Sequence, residues 1–91
     1  MGWTTDKEMN NYNPSWDYMA KTYGLKSPQP IMSSTPDHHM FIFQSGSKYY
    51  VWNAMADTVS EIMTSMDLVD IVTKITKLGL GSLKTKRIHE V

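Results

Sequence analysis

Met40-Phe41-Ile42-Phe43, Ser45-Gly46-Ser47, Lys48-Tyr49-Tyr50-Val51-Trp52-Asn53 and Thr58-Val59-Ser60-Glu61-Ile62 lie within one stretch of the chain, and their reading decides the fold. Aromatic and β-branched side chains are what strands favour, and the small Ser-Gly-Ser cluster between the first two runs marks a hairpin turn. Residues 48–53 alternate large side chains on both faces of a strand. Ala54 to Asp57 supplies a second turn, and the shorter run that follows reads as a third strand. Residues 38–62 are therefore expected to form a three-stranded antiparallel β-meander. Three strands alone are marginal in water, so this sheet needs a partner layer.

That layer is expected immediately downstream. Thr64 with Asp67 three residues later forms a capping-box pattern. Asp67 and Asp70 fall near the positive end of the predicted helix, Lys74 and Lys77 near its negative end. Leu68, Ile71, Val72, Ile75 and Leu78 recur at helical spacing, Gly79 stops the run, and Leu80 is placed for the apolar contact that closes a Schellman end. The spacing predicts an amphipathic helix over 64–78.

Working outward, residues 1–37 read as a polar N-terminal strap with a short helix near 14–23. Asn13 fits an N-cap before Pro14, Trp16, Met19, Ala20 and Tyr23 form one stripe, and Gly24 fits the left-handed residue after the helix end. A helix this short does not hold alone, so its Trp16 face must dock. Pro28 and Pro30 favour an extended, polyproline-like path beyond it. Residues 80–91 read as a basic C-terminal tail. The fold class expected is α+β: a small three-stranded antiparallel meander, a following amphipathic helix, and extended N- and C-terminal segments.

Composition narrows function by exclusion. The 91 residues contain no cysteine, so no disulfide framework or thiolate chemistry is available, which favours an intracellular setting. No apolar run approaches the roughly 18 residues of a membrane span. Asp6, Lys7 and Glu8 sit where a secretory signal would need apolar residues, and Asp6 also departs from the myristoylation pattern after Gly2. The formal net charge is zero, yet residues 38–70 carry −3 and residues 71–91 carry +4.

Candidate chemistry is sparse. Asp37, His38 and His39, with His89 as a distant third histidine, suggest a metal, but adjacent strand residues point to opposite faces and cannot share an ion without a turn. No metal or cofactor is expected. Ser45 and Ser47 flank a hairpin glycine rather than a nucleophile elbow, and the acids Asp67 and Asp70 are explained by a helix start. Gly79 and Gly81 follow a helix instead of opening one, so they form no phosphate loop. No catalytic residue and no small-molecule substrate are expected. Lys84, Lys86 and Arg87 alternate with Leu83, Thr85 and Ile88 and make a mixed strand rather than a basic arm, so nucleic acid is not the expected partner despite Tyr49, Tyr50 and Trp52.

One resemblance emerges from Tyr50-Val51-Trp52-Asn53, the acid-bearing turn through Asp57, and Val59-Ser60, together with Gly46, Lys48 and Tyr49. This pattern resembles the second and third strands of a WW domain over residues 46–61. The family implies a three-stranded meander that binds proline-rich peptides between a strand-two tyrosine, here Tyr50, and a strand-three tryptophan. Glu61 stands in place of that tryptophan, and His38 and His39 lie where the first signature tryptophan belongs. The resemblance therefore carries the meander and not the ligand.

The expected function is a non-catalytic accessory subunit that binds larger protein partners, with Trp3, Trp16, Tyr50 and Trp52 as partner-binding anchors, since tryptophan and tyrosine dominate binding hot spots. Met19, Met55 and Met63 are expected to support them. Size and composition suggest by analogy an accessory chain peripheral to a membrane complex, such as a mitochondrial respiratory or ATP synthase complex. The alternatives are a WW-like peptide-binding module and a small phage-type inhibitor acting through the acidic 38–70 region.

Overall fold

A computed structural model describes residues 2–5 and 15–91. Six strands form one antiparallel sheet in simple sequence order: β1 (Gly2–Thr4), β2 (Gln29–Thr35), β3 (Met40–Ser45), β4 (Lys48–Asn53), β5 (Thr58–Ile62) and β6 (Thr85–Ile88). Two helices complete the fold: α1 (Trp16–Tyr23) between β1 and β2, and α2 (Leu68–Leu78) between β5 and β6. The expectation of a three-stranded meander with one following helix and extended ends is thus corrected. The segments read as strap and tail contribute β1, β2 and β6 to the same sheet.

The centre of the sheet explains why two helices are needed. Phe41, Phe43, Tyr50, Trp52 and Val59 share one face and pack with Met19 and Tyr23 of α1. The intervening residues Ile42, Val51 and Ile62 take the other face and pack with Met32 and with Ile71 and Ile75 of α2. A strand apolar at every position is buried on both sides, and each face then requires its own cover. The β3–β4 hairpin turns at Gly46, whose φ of 63° lies in the left-handed region while Ser47 shows no positive φ, the pattern of a type II′ turn.

The added strands form through their neighbours rather than through their own propensity. In β2, the register with β3 shifts between Pro30 and Met32, so the residue that cannot donate to the ladder sits at an irregularity. Ser33 and Ser34 are fully buried, and both are satisfied: Ser33 Oγ lies 2.9 Å from His38 Nδ1, and Ser34 Oγ accepts from the Met40 amide at 3.1 Å. The turn between β2 and β3 contains a cis Thr35–Pro36 peptide and His38 at φ 50°.

The start of α2 differs from expectation. α2 begins at Leu68, with Asp67 as its N-cap accepting from the Asp70 amide at 2.9 Å. Thr64 instead closes a local turn by accepting from the Met66 amide, so it caps nothing. At the other end Gly79 has φ 84° and ψ 168° rather than the left-handed geometry of a Schellman end, and Leu80–Ser82 continue as a short 3-10 turn. α1 begins at Trp16, and the expected Asn13–Pro14 start lies outside the described residues. Its C-cap Gly24 is left-handed at φ 66° and ψ 31°.

Candidate docking surface

The four residues expected to anchor a partner are divided between the two faces. Trp16, Tyr50 and Trp52 meet under α1, with Trp16 edge-on to Trp52 at 5.0 Å and to Phe41 and Phe43 at 5.4 and 5.5 Å. Tyr50 stacks on Phe43 at 5.3 Å and 17°. Trp3 lies on the opposite face, half-buried against the α2 cluster. Trp52 and Tyr50 are only 4% and 7% exposed, so they offer a partner almost no surface. The indole nitrogens of Trp16 and Trp52 and Nδ1 of His39 are buried without a hydrogen-bond partner, which leaves this aromatic layer less well satisfied than the aliphatic one. Of the methionines, Met19 is buried in the same layer, whereas Met55 and Met63 are exposed.

α1 is held in place by contacts at its C-terminal end. The Tyr23 hydroxyl donates to the Asp57 carbonyl at 2.9 Å, and the Val91 amide donates to the Thr22 carbonyl at 2.9 Å. Asp57 itself sits at φ 53° in the β4–β5 turn, a conformation that aspartate tolerates better than most residues. Burial, then the negative charges of Asp57 and Glu90, push the Tyr23 phenol above its ordinary value of 10.0. Burial and then Glu61 push Tyr50 in the same direction.

The other candidate groups are absorbed by local structure. Ser33 and His38 form a hydrogen-bonded pair of the type used in nucleophilic catalysis, and Ser33 is fully buried. Among the described residues no three histidine, cysteine or acidic side chains are grouped to hold a metal ion. The acids of the 38–70 region are dispersed: Asp57 and Asp67 lie beyond opposite ends of β5, and Glu61 pairs with Lys48 at 3.5 Å. A shallow groove beside α1, lined by Asp17, Tyr18, Lys21, Leu25 and Pro28, is open to solvent. Tyr49 packs partly on the α2 face while Tyr50 and Trp52 lie under α1, so these aromatics form no stacking platform.

What remains exposed is informative on α2. At helical periodicity, Asp70, Lys74 and Lys77 fall on one flank of the helix, and Leu68, Val69, Val72, Thr73 and Thr76 fall on the other. That second flank carries no charge, and its Val69 is 70% exposed and Leu68 37% exposed. Of the stripe expected from the spacing, Ile71 and Ile75 are buried and Val72 packs partly against the same cluster, whereas Leu68 is 37% and Leu78 68% exposed; Val69, Thr73 and Thr76 lie outside that stripe. The available signal was the confinement of every α2 charge to the opposite flank.

Among the described residues no helix is long and apolar enough to cross a membrane. No protein-family model, no curated protein and no solved structure matches the chain.

Proposed function

We propose that this chain is a non-catalytic accessory chain that docks onto a larger protein through the uncharged flank of α2. The observation that supports this reading is the flank itself. Both faces of the sheet are already covered, yet Val69 is 70% and Leu68 37% exposed beside exposed Thr73 and Thr76 and half-buried Val72, with no charge among them. A helix flank of that composition gains by being buried against another protein. The fully buried Ser33 favours a structural role for the Ser33–His38 pair over a catalytic one.

A WW-like module draws less support, because the face that carries Tyr50 is packed against Met19 and Tyr23 of α1 and a proline-rich peptide would have to displace that helix. An inhibitor that acts through an acidic 38–70 surface is disfavoured by the separation of its acids to opposite ends of β5. Placement in a mitochondrial respiratory or ATP synthase complex rests on analogy of size and composition alone and gains nothing from the fold.

The test is native-gel mobility of the wild-type chain and Val69→Asp in gentle extracts of the source, with mass spectrometry of co-migrating chains. Position 69 is exposed and lies in the first turn of α2, where an acid is favourable, so the substitution leaves the fold intact. The wild type is expected to travel with a large assembly and Val69→Asp to run near its own 10.4 kDa. A wild-type chain that runs alone and folded overturns the proposal. Equal incorporation of both chains removes the α2 flank from it.

A further inference from the structure

We propose that the open edge of β6 takes up an extended acidic segment of a protein partner as an added strand. This rests on the accessory-chain reading and names the chemistry of the partner.

The geometry follows from register. β6 pairs with β5 as Val59↔Ile88, Ser60↔Arg87, Glu61↔Lys86 and Ile62↔Thr85, and the Met63 amide donates to the Lys84 carbonyl at 2.8 Å in continuation of the same ladder. Hydrogen-bonded and non-hydrogen-bonded pairs alternate along an antiparallel ladder. Because Met63↔Lys84 is a hydrogen-bonded pair, Glu61↔Lys86 and Val59↔Ile88 are too. Thr85 and Arg87 therefore turn their amides and carbonyls away from β5, toward the edge that no described strand covers. These outward groups are the template for strand addition, which supplies affinity through main-chain bonds.

The side chains select the partner. Lys84 and Lys86 stand on the α1 side of the edge and Arg87 on the α2 side, so an incoming strand meets a cation on each face. Lys84, Thr85, Lys86 and Arg87 are all exposed. Glu61 lies opposite Lys86 but is already paired with Lys48 at 3.5 Å, and Glu90 is the nearest acid further along the chain. A second copy of this chain is a poor occupant. Pairing β6 with another β6 sets lysine and arginine against like charges. Pairing β6 with the three-residue β1 of a neighbour is head-to-tail, buries only a short strand, and generates a ring or an open chain rather than a two-fold dimer. An acidic extended segment satisfies the outward main-chain groups and the cations together.

The test uses the whole chain and a displayed library of random short peptides, with amide hydrogen exchange to locate binding. Selected peptides are expected to be acidic, free of internal proline, and to slow exchange at Thr85 and Arg87. Thr85→Pro removes one outward donor at the first residue of an edge strand, where proline is tolerated, and leaves the charge and the β5–β6 ladder unchanged. It is expected to weaken binding about ten-fold or more while the Lys86 and Ile88 amides stay protected. If that variant does not fold, the double variant Lys84→Glu with Arg87→Glu is expected to invert the preference toward basic peptides. Acidic peptides held equally well by Thr85→Pro, protection confined to other amides, or recovery of no peptide would each overturn the edge proposal. Tight binding of mixed-sequence single-stranded DNA by both wild type and Thr85→Pro would overturn it in favour of nucleic acid. Failure here leaves the accessory reading standing wherever the chain still travels with an assembly.

Discussion

The two faces of the sheet are closed in different ways. One is aromatic, built from Phe41, Phe43, Tyr50 and Trp52 and covered by the eight-residue α1, with two indole nitrogens left unpaired. The other is aliphatic, built from Met32, Ile42, Val51 and Ile62 and covered by the eleven-residue α2, which caps itself through Asp67. Burying large rings makes the first face energetically heavy, but its helix depends on borrowed contacts from Asp57 and Val91. The aliphatic face packs with no unpaired polar side chain among its buried members. Three of the four residues most suggestive of binding, Trp16, Tyr50 and Trp52, are thus occupied in the aromatic core, and the proposed contacts with a partner lie on the outer flank of α2 and the β6 edge.

The largest expected effect comes from the heavy face. Trp52→Ala removes a 4%-exposed ring that contacts Trp16 and Phe41, a loss of about 3–5 kcal/mol. Set against the roughly 5–15 kcal/mol that holds a typical domain folded, urea unfolding should show a sharply lowered midpoint. A near-neutral result would mean that α1 does not seal the sheet. Ile75→Ala on the other face should lose about 2–4 kcal/mol, measured in the same way, because the residue is fully buried between α2 and the sheet. A loss below about 1 kcal/mol would indicate that α2 is loosely seated.

Smaller effects sharpen the difference between the helices. Tyr23→Phe deletes the bond to the Asp57 carbonyl and should lower stability by about 1 kcal/mol, with faster amide exchange in α1 but not in α2. The phenols of Tyr23 and Tyr50 are raised above 10.0 in the folded chain, so the unfolded chain loses these protons first as pH rises. Stability from both groups is therefore fully present below about pH 10 and is lost as pH climbs through the folded values. Urea midpoints should fall with pH above that point, and the double variant Tyr23→Phe, Tyr50→Phe should flatten the slope. An unchanged slope would place both hydroxyls in water.

The legible part of this fold lay where side-chain pattern and secondary structure coincide. Phe41 to Phe43, Tyr49 to Trp52, Val59 with Ile62, and the Ile71–Ile75 stripe carry the apolar or β-branched positions of strands and a helix, and β3, β4, β5 and α2 stand there. Gly46 and Gly24 mark turns where a positive φ is observed. The illegible part was the sheet beyond β3 and β5. Gln29 to Thr35 contains a proline and two serines, and Thr85 to Ile88 carries two cations, so neither has the composition strands favour. They become strands because the hairpin core offers unpaired edges, and in β2 because buried Ser33 and Ser34 find partners in His38 of the β2–β3 turn and the Met40 amide at the start of β3. The same reasoning explains the anchors. Trp16 and Trp52 were legible as contact residues, but sequence spacing does not reveal that they contact each other.

The account stands most directly on amide hydrogen exchange of the chain free and within the assembly recovered from its source. It predicts new protection at Thr85 and Arg87 and along Leu68 to Thr76, with Trp16–Tyr23 and the β3–β4 amides unchanged. Protection gained chiefly at α1, or a folded chain that exchanges identically because no assembly accompanies it, would contradict the claim that the outer flank of α2 and the β6 edge are where this protein meets its partner.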